Sequence, residues 1–404
     1  PMNRLVQGDV GSGKTMVAAA AMVCAARSGR QTALMAPTEI LAEQHYKGLA
    51  PLLEGLGIPC ALLTGAARAK ERRAVLEGLE SGRLQAVIGT HALISPDVTY
   101  RDLGLVVTDE QHRFGVGQRS ALSAKGERPH LLVMSATPIP RTLALMIYGD
   151  LDVSVIDELP PGRQRIDTFA VTGAYRPRIY KFLAREIAAG RQAYMICSMV
   201  EENGADDRKA VTEYARVLQE QVFPQLRVAC VHGRMKGREK EAVMAAFAGG
   251  EADILVSTTV VEVGVDVPNA TVMVIEDADR FGLSQLHQLR GRVGRGAHKS
   301  FCILVSDNRS EEARARLKVM TATGDGFRIA EEDLRLRGPG DFFGQRQHGL
   351  PALKTADLSC DAALLKEAQE AAEALLAADP ALKDHPLTAQ RVEELFAAGG
   401  DALN

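Results

Sequence analysis

Short apolar runs recur along the chain, each followed by a longer segment with helical spacing or high charge. In the first half the runs are Leu5–Gln7, Thr32–Ala36, Ala86–Gly89, Leu105–Thr108 and Leu131–Ser135. In the second half they are Ala193–Cys197, Val228–Val231, Ile254–Ser257, Val272–Glu276 and Phe301–Val305. Runs such as LVVT and VMVIE are apolar at nearly every position, the pattern of a strand buried on both faces of a parallel sheet flanked by helices. The alternation predicts two α/β layers of similar size. Between them, Asp157–Arg163 (DELPPGR) is the clearest linker signal in the chain. After residue 306 the strand pattern stops. Charged helical segments take over, among them Ala362–Ala377, rich in Ala, Leu and Glu. The expected domains are 1–157, 158–306 and a helical extension, 307–404.

Composition narrows the picture without deciding it. The 404 residues exceed one ordinary core, and 46% hydrophobic with 25% charged residues is a globular average. Only 4% is aromatic and Trp is absent, which argues against reading bases mainly by stacking. A net charge of -3 excludes a generally basic nucleic-acid coat but permits a local phosphate-contacting track. The six cysteines show no metal-ligand spacing, several sit in apolar runs, and they read as buried reduced thiols. No long apolar run or signal peptide is visible, so a cytoplasmic chain without a membrane segment is expected. The first phosphate motif lies only a few residues after Pro1, so the chain is expected to be part of a longer protein.

Gly8–Thr15 reads GDVGSGKT, after an apolar strand and before an apolar helix. This is the phosphate-binding loop pattern in its required context. Gly8, Gly11, Ser12 and Gly13 shape backbone N–H groups around phosphate oxygens. Lys14 brings a charge to the outer phosphates and Thr15 a hydroxyl to Mg²⁺. Leu105–Glu110 is an apolar strand ending in two carboxylates. Asp109 is assigned to the metal and Glu110 to the attacking water. Gln285–Gly296 reads QLHQLRGRVGRG, and Arg292 and Arg295, three apart, would share one face of a helix. A guanidinium that meets developing phosphate charge is worth roughly 10³–10⁵ in rate. Because these arginines lie far from the loop in sequence, the simplest geometry traps nucleotide between two domains.

These motifs form a series. GDVGSGKT is followed by APTEILAEQH (36–45), GTHALI (89–94), DEQH (109–112), SAT (135–137), VHGRM (231–235), TTVVEVGVDVPNA (258–270) and the arginine motif. The series resembles the superfamily 2 helicase motor: two RecA-like parallel-sheet P-loop domains in tandem. More narrowly it resembles the motor portion of RecG-type branched-DNA helicases, on DEQHRFGVGQR, SATPIPRTLAL and IEDADRFGLSQLHQLRGRVGRG. The transcription-repair coupling factor, which acts on RNA polymerase, shares much of the pattern. Gln111 and the RGPGDFFGQRQHG ending are closer to RecG.

The resemblance implies ATP with Mg²⁺ as cofactor and double-stranded and branched DNA as partner; nothing in the sequence demands an oligomer, so a monomer is expected. It also implies an N-terminal wedge domain outside this sequence. His112, Ser135 and Thr137 would link nucleotide state to closure. Gly264 and Asp266 would contact nucleotide, and Gln288 would join Arg292 and Arg295. Thr38, Thr90, His91, Arg234, Thr258 and Thr259 recur just after successive strands, where they can hold DNA backbone phosphates. The extension would be a helical hairpin that breaks at Gly338-Pro339-Gly340 and returns through a hook of Arg335, Arg337, Gln345, Arg346 and Gln347. A nucleotide-gated binding switch with little turnover is the alternative from another class.

Overall fold

The computed structural model describes residues 1–109, 121–135, 151–158, 165–198, 207–258, 267–342 and 362–398. The chain forms two compact units: residues 1–138 with 150–329, and residues 139–149 with 330–404.

The first unit holds two sheets, in which every strand pairing is parallel. The first sheet comprises β1 (Asn3–Gly8), β2 (Gln31–Met35), β3 (Cys60–Leu63), β4 (Ala86–Gly89), β5 (Leu103–Thr108), β6 (His130–Ser135) and β7 (Asp152–Ile156). Its spatial order is β3-β4-β2-β5-β6-β1-β7. Helices α1 (Lys14–Arg27), α2 (Glu39–Gly55) and α3 (Ala69–Glu80) connect successive strands. Along β2 the side chains alternate between two cores. Leu34 packs with Met22, Leu49 and Leu53, whereas Ala33 and Met35 pack with Leu79, Leu93 and Val106. Both faces are apolar because both are covered, which explains the continuous runs in the sequence.

The second sheet has β8 (Asp167–Val171), β9 (Gln192–Ile196), β10 (Val228–Val231), β11 (Ile254–Ser257), β12 (Ala270–Ile275) and β13 (Phe301–Val305), ordered β10-β11-β9-β12-β13-β8. Here α4 (Arg176–Ala188) and α5 (Asp207–Val217) pack Ile179, Leu183 and Val211 on Met195, Val256 and Val274. Next come α6 (Gly237–Ala248), α7 (Leu283–Arg290) and α8 (Glu311–Ala322). Ser310 caps α8, its hydroxyl accepting from the Ala313 amide at 3.2 Å.

Three strands, β3, β7 and β8, were not among the expected runs. Each lies at a sheet edge.

After β13 the described residues are helical apart from their connections. Helix α9 (Gly326–Phe342) begins in the first unit and ends in the second, and α10 (Ala362–Ala378) and α11 (Pro386–Ala398) follow. The expected break at Gly338-Pro339-Gly340 is corrected by α9, which continues through all three residues. Proline removes one donor and strains the preceding turn, at about 3 kcal/mol. It does not abolish the hydrogen bonds on either side of it.

Among the described residues no helix is long and apolar enough to cross a membrane. Burial holds the thiols of Cys60 and Cys302 well above the ordinary range, both to about 12. Cys24 is exposed, so the thiols do not share one environment.

Candidate functional site

All strands of the first sheet run the same way, so the segments after them gather along one edge. In spatial order these are Thr90-His91 after β4, Thr38 after β2, Asp109 after β5, Ser135 at the end of β6, and the glycine loop after β1.

The loop's shape follows from its residues. Gly11 (φ 76°) and Gly13 (φ 93°) adopt the left-handed region that strains any side chain. Gly8 is needed for space, because a Cβ there would meet the Ser12 hydroxyl and Ile156. The Ser12 amide donates to the Asp9 carbonyl at 3.1 Å, and the Met16 amide to Gly13 at 2.9 Å. Ser12 Oγ is buried without a hydrogen-bond partner. Buried polar atoms are normally bonded, so this hydroxyl beside a helix N-terminus fits an anion such as phosphate. Lys14 is buried, its Nζ donating to the carbonyls of Gly8 (2.9 Å) and Asp9 (2.8 Å). Thr15 follows in the first turn of α1, half-buried.

Asp109 is anchored through both its backbone and its side chain. Its amide donates to the Met35 carbonyl at 3.0 Å, and its Oδ2 lies 2.7 Å from His45 Nε2. Ser135 is buried at the end of β6.

The second sheet reaches the same loop through α7. His287 Nε2 lies 2.7 Å from Asp9 Oδ1, and its Nδ1 lies 3.0 Å from an Arg290 nitrogen. A carboxylate only accepts and a guanidinium only donates, so the ring satisfies both when neutral with its proton on Nε2. Arg290 continues the chain, donating to the carbonyls of Met320 (2.8 Å), Thr323 (2.9 Å) and Gly324 (3.3 Å). A path of hydrogen bonds, buried in its middle and part-buried at its ends, thus runs from the glycine loop to the end of α8. It skirts a cavity of about 400 Å³ lined also by Asp157, Arg165 and Phe327.

Arg290 is 4% exposed, so its removal leaves buried carbonyls uncompensated. Arg290→Met is expected to lower unfolding free energy by about 3 kcal/mol, read as a reduced urea midpoint.

The expectation that Arg292 and Arg295 share a helical face is corrected: α7 ends at Arg290. Gly291 closes the helix and Gly294 takes φ 79°, so Arg292 lies on the turn and Arg295 in the irregular segment that follows it. Burial raises the Tyr194 hydroxyl to about 12, against the opposing charge of Arg292 and Arg295. Arg295 Nε donates to the Gly291 carbonyl at 3.1 Å. A Cβ on Gly291 would lie 3.2 Å from that of Val10, so the turn passes close to the glycine loop. Gln288 is half-buried on α7.

The candidate phosphate-contact residues divide by exposure. Thr38 caps α2, its hydroxyl accepting from the Leu41 amide at 3.4 Å, while His91 and Arg234 are exposed. Thr90 and Thr258 occupy matching positions in the two sheets, but their hydroxyls are buried without hydrogen-bond partners. Thr38, Glu39 and Ile40 face Val231, Lys240 and Met244 across a groove of about 270 Å³. Arg335 pairs with Glu332 at 2.7 Å. Glu110, His112, Thr137, Thr259, Gly264, Asp266, Gln345, Arg346 and Gln347 lie outside the described residues, as does the side chain of Arg337.

Sequence reasoning missed Asp9, His45, His287 and Arg290 as partners. His287 and Arg290 carried one local signal, their three-residue spacing on a helix.

Residues 2–146 match the DEAD/DEAH box helicase family and residues 177–297 the helicase conserved C-terminal domain. The two parallel sheets are therefore the RecA-like pair of a helicase-type motor. Residues 323–395 match ATP-dependent DNA helicase RecG, domain 3, C-terminal. The chain is 55% identical to the ATP-dependent DNA helicase RecG of Synechocystis sp., over 100% of this chain and 49% of that protein. It is 52% identical to the Bacillus subtilis RecG, over 98% and 58%. A solved structure of RecG bound to a three-way DNA junction superposes with a TM-score of 0.76 at 48% identity, covering 91% of this chain and 48% of that one. The chain belongs to the RecG-type ATP-dependent DNA helicases. It spans about half the length of the curated relatives it matches.

Proposed function

We propose that this chain is an ATP-driven motor that moves double-stranded DNA and remodels branch points. The observation that carries the reading is the meeting of the two sheets at the glycine loop, where His287 bonds Asp9 and the turn bearing Arg292 passes Val10. Hydrolysis at such a junction changes how the two sheets engage, which converts chemistry into motion.

In this reading Gly8, Gly11, Ser12, Gly13 and Lys14 hold the ATP phosphates, with Gly264 and Asp266 approaching from the second sheet. Thr15 and Asp109 hold Mg²⁺, which neutralises phosphate charge when bound. Glu110 orients the attacking water. Gln288, Arg292 and Arg295 face the charge that develops on the transferred phosphoryl group. His112, Ser135 and Thr137 report nucleotide state to the second sheet. Arg335, Arg337, Gln345, Arg346 and Gln347 pass it to the extension.

Residues 1–157, 158–306 and 307–404 act as first motor domain, second motor domain and coupling extension. The groove between Thr38 and Lys240 is the DNA path, joined by Thr90, His91, Arg234, Thr258 and Thr259. Thr90 and Thr258 need a local opening to reach a phosphate. Phosphate contacts position DNA without reading sequence.

The match of residues 323–395 to the RecG domain favours branched DNA over an RNA-polymerase partner. The test compares ATP turnover on forked, linear duplex and single-stranded DNA. Forks are expected to stimulate most, with duplex affinity falling steeply between low and physiological salt. Equal stimulation by all three, or salt-insensitive binding, contradicts the reading.

A further inference from the structure

We infer that His45 is a positioning residue for Asp109, and that α2 links the DNA groove to the metal-holding carboxylate. The inference rests on the proposed roles of Asp109 and of the DNA groove and goes beyond them: His45 closes the APTEILAEQH stretch, but no role is assigned to it above.

His45 lies 64 positions before Asp109, yet their side chains meet at 2.7 Å, His45 10% exposed and Asp109 13%. The carboxylate can only accept, so His45 donates from Nε2. A bond from N–H to a charged oxygen, largely shielded from water, is of the stronger kind. It fixes the rotation of the Asp109 carboxylate about its side-chain bond. The ends of a helix hold less well than its interior, and His45 sits inside α2, whose Ala42, Leu49 and Leu53 are buried against the first sheet. The ring is therefore carried by a packed element rather than by a loop.

The same helix reaches the groove. Thr38 is its N-cap and lines the groove with Glu39 and Ile40. His45 lies seven positions after Thr38. That is nearly two turns, so both lie on one side of α2, about 10 Å apart along its axis. Asp109 is also tied by its amide to Met35, the last residue of β2, from which the chain passes directly to Thr38. Backbone and side chain of Asp109 thus both connect to the β2–α2 segment. A shift of the α2 N-terminus by bound DNA would be felt at the carboxylate through the ring.

The test measures binding of a fluorescent ATP analogue as Mg²⁺ is titrated, with and without forked DNA, for the parent, His45→Ala, His45→Gln and Asp109→Asn. His45→Ala is expected to raise the Mg²⁺ needed for half-maximal binding about ten-fold, the scale found when a partner of a ligating carboxylate is lost. DNA should no longer shift that midpoint. His45→Gln, whose amide can donate from a similar reach, should restore most of both effects. A purely structural role would lower the thermal midpoint without moving the Mg²⁺ midpoint, and Gln would not rescue it. If Asp109→Asn moves the Mg²⁺ midpoint while the folded His45→Gln and His45→Ala chains behave alike and as the parent, His45 has no positioning role. Should His45→Ala fail to fold, loss of the DNA-induced shift in His45→Phe against its retention in His45→Gln decides the same point. If Asp109→Asn itself leaves the midpoint unmoved, the metal assignment falls instead.

Discussion

Arg292→Ala is expected to slow ATP hydrolysis on forked DNA by roughly 10³-fold while leaving ATP binding within a few-fold of the parent. The reason is local. Helix α7 ends at Arg290, and Gly291 and Gly294 turn the chain so that the segment bearing Arg292 runs beside Val10 of the glycine loop. In the proposed reading, a guanidinium delivered there meets charge that exists only as the phosphoryl group transfers. Its loss therefore falls on the rate and spares binding. Arg295 holds this turn through its bond to the Gly291 carbonyl, so Arg295→Ala should also lose rate. Lysine at position 292 should not restore the rate, since a point charge lacks the planar fork of donors. Single-turnover phosphate release, with nucleotide binding measured separately, checks all three.

Glu110→Gln is the second large effect. The substitution keeps shape and removes only the ability to take a proton, so hydrolysis should fall by roughly 10²–10⁴. ATP should still bind, and the bound state should persist. This outcome also separates a motor from a nucleotide-gated switch. A switch with little turnover would behave alike with Glu or Gln at this position.

Much of the fold was legible because most strands are buried on both faces. Leu103–Thr108 and Ala270–Ile275 are buried at every position, and both read as continuous apolar runs. Two of the three missed strands fail that criterion for a physical reason. Asp152–Ile156 and Asp167–Val171 are edge strands interrupted by polar residues, and the second leaves Phe169 and Ala170 exposed; Cys60–Leu63 is an edge strand too, but all four of its residues are apolar, so its omission has no such reason. An edge strand has neighbours on one side and needs no unbroken apolar run.

The site divides in the same way. The glycine loop was readable because its chemistry is contiguous: strand, glycines, lysine and helix succeed one another within a few residues. The bonds His45–Asp109 and Asp9–His287 were not readable, since their partners lie 64 and 278 positions apart. No local spacing announces a contact that only the strand order β2-β5 or the meeting of two sheets creates. The Gly338-Pro339-Gly340 expectation erred in the opposite direction. It took a local rule as decisive where the hydrogen bonds of a 17-residue helix outweigh one missing donor.

The proposed motor has one ATP-hydrolysing site, answering to branched DNA, where the two sheets meet. The most direct measurement is phosphate release by the parent and Glu110→Gln chains side by side, with and without saturating forked DNA. Turnover in the parent is expected to rise on adding the fork, with near-zero release from Glu110→Gln under both conditions. Equal release from the two chains, or a parent rate indifferent to DNA, would contradict the proposal.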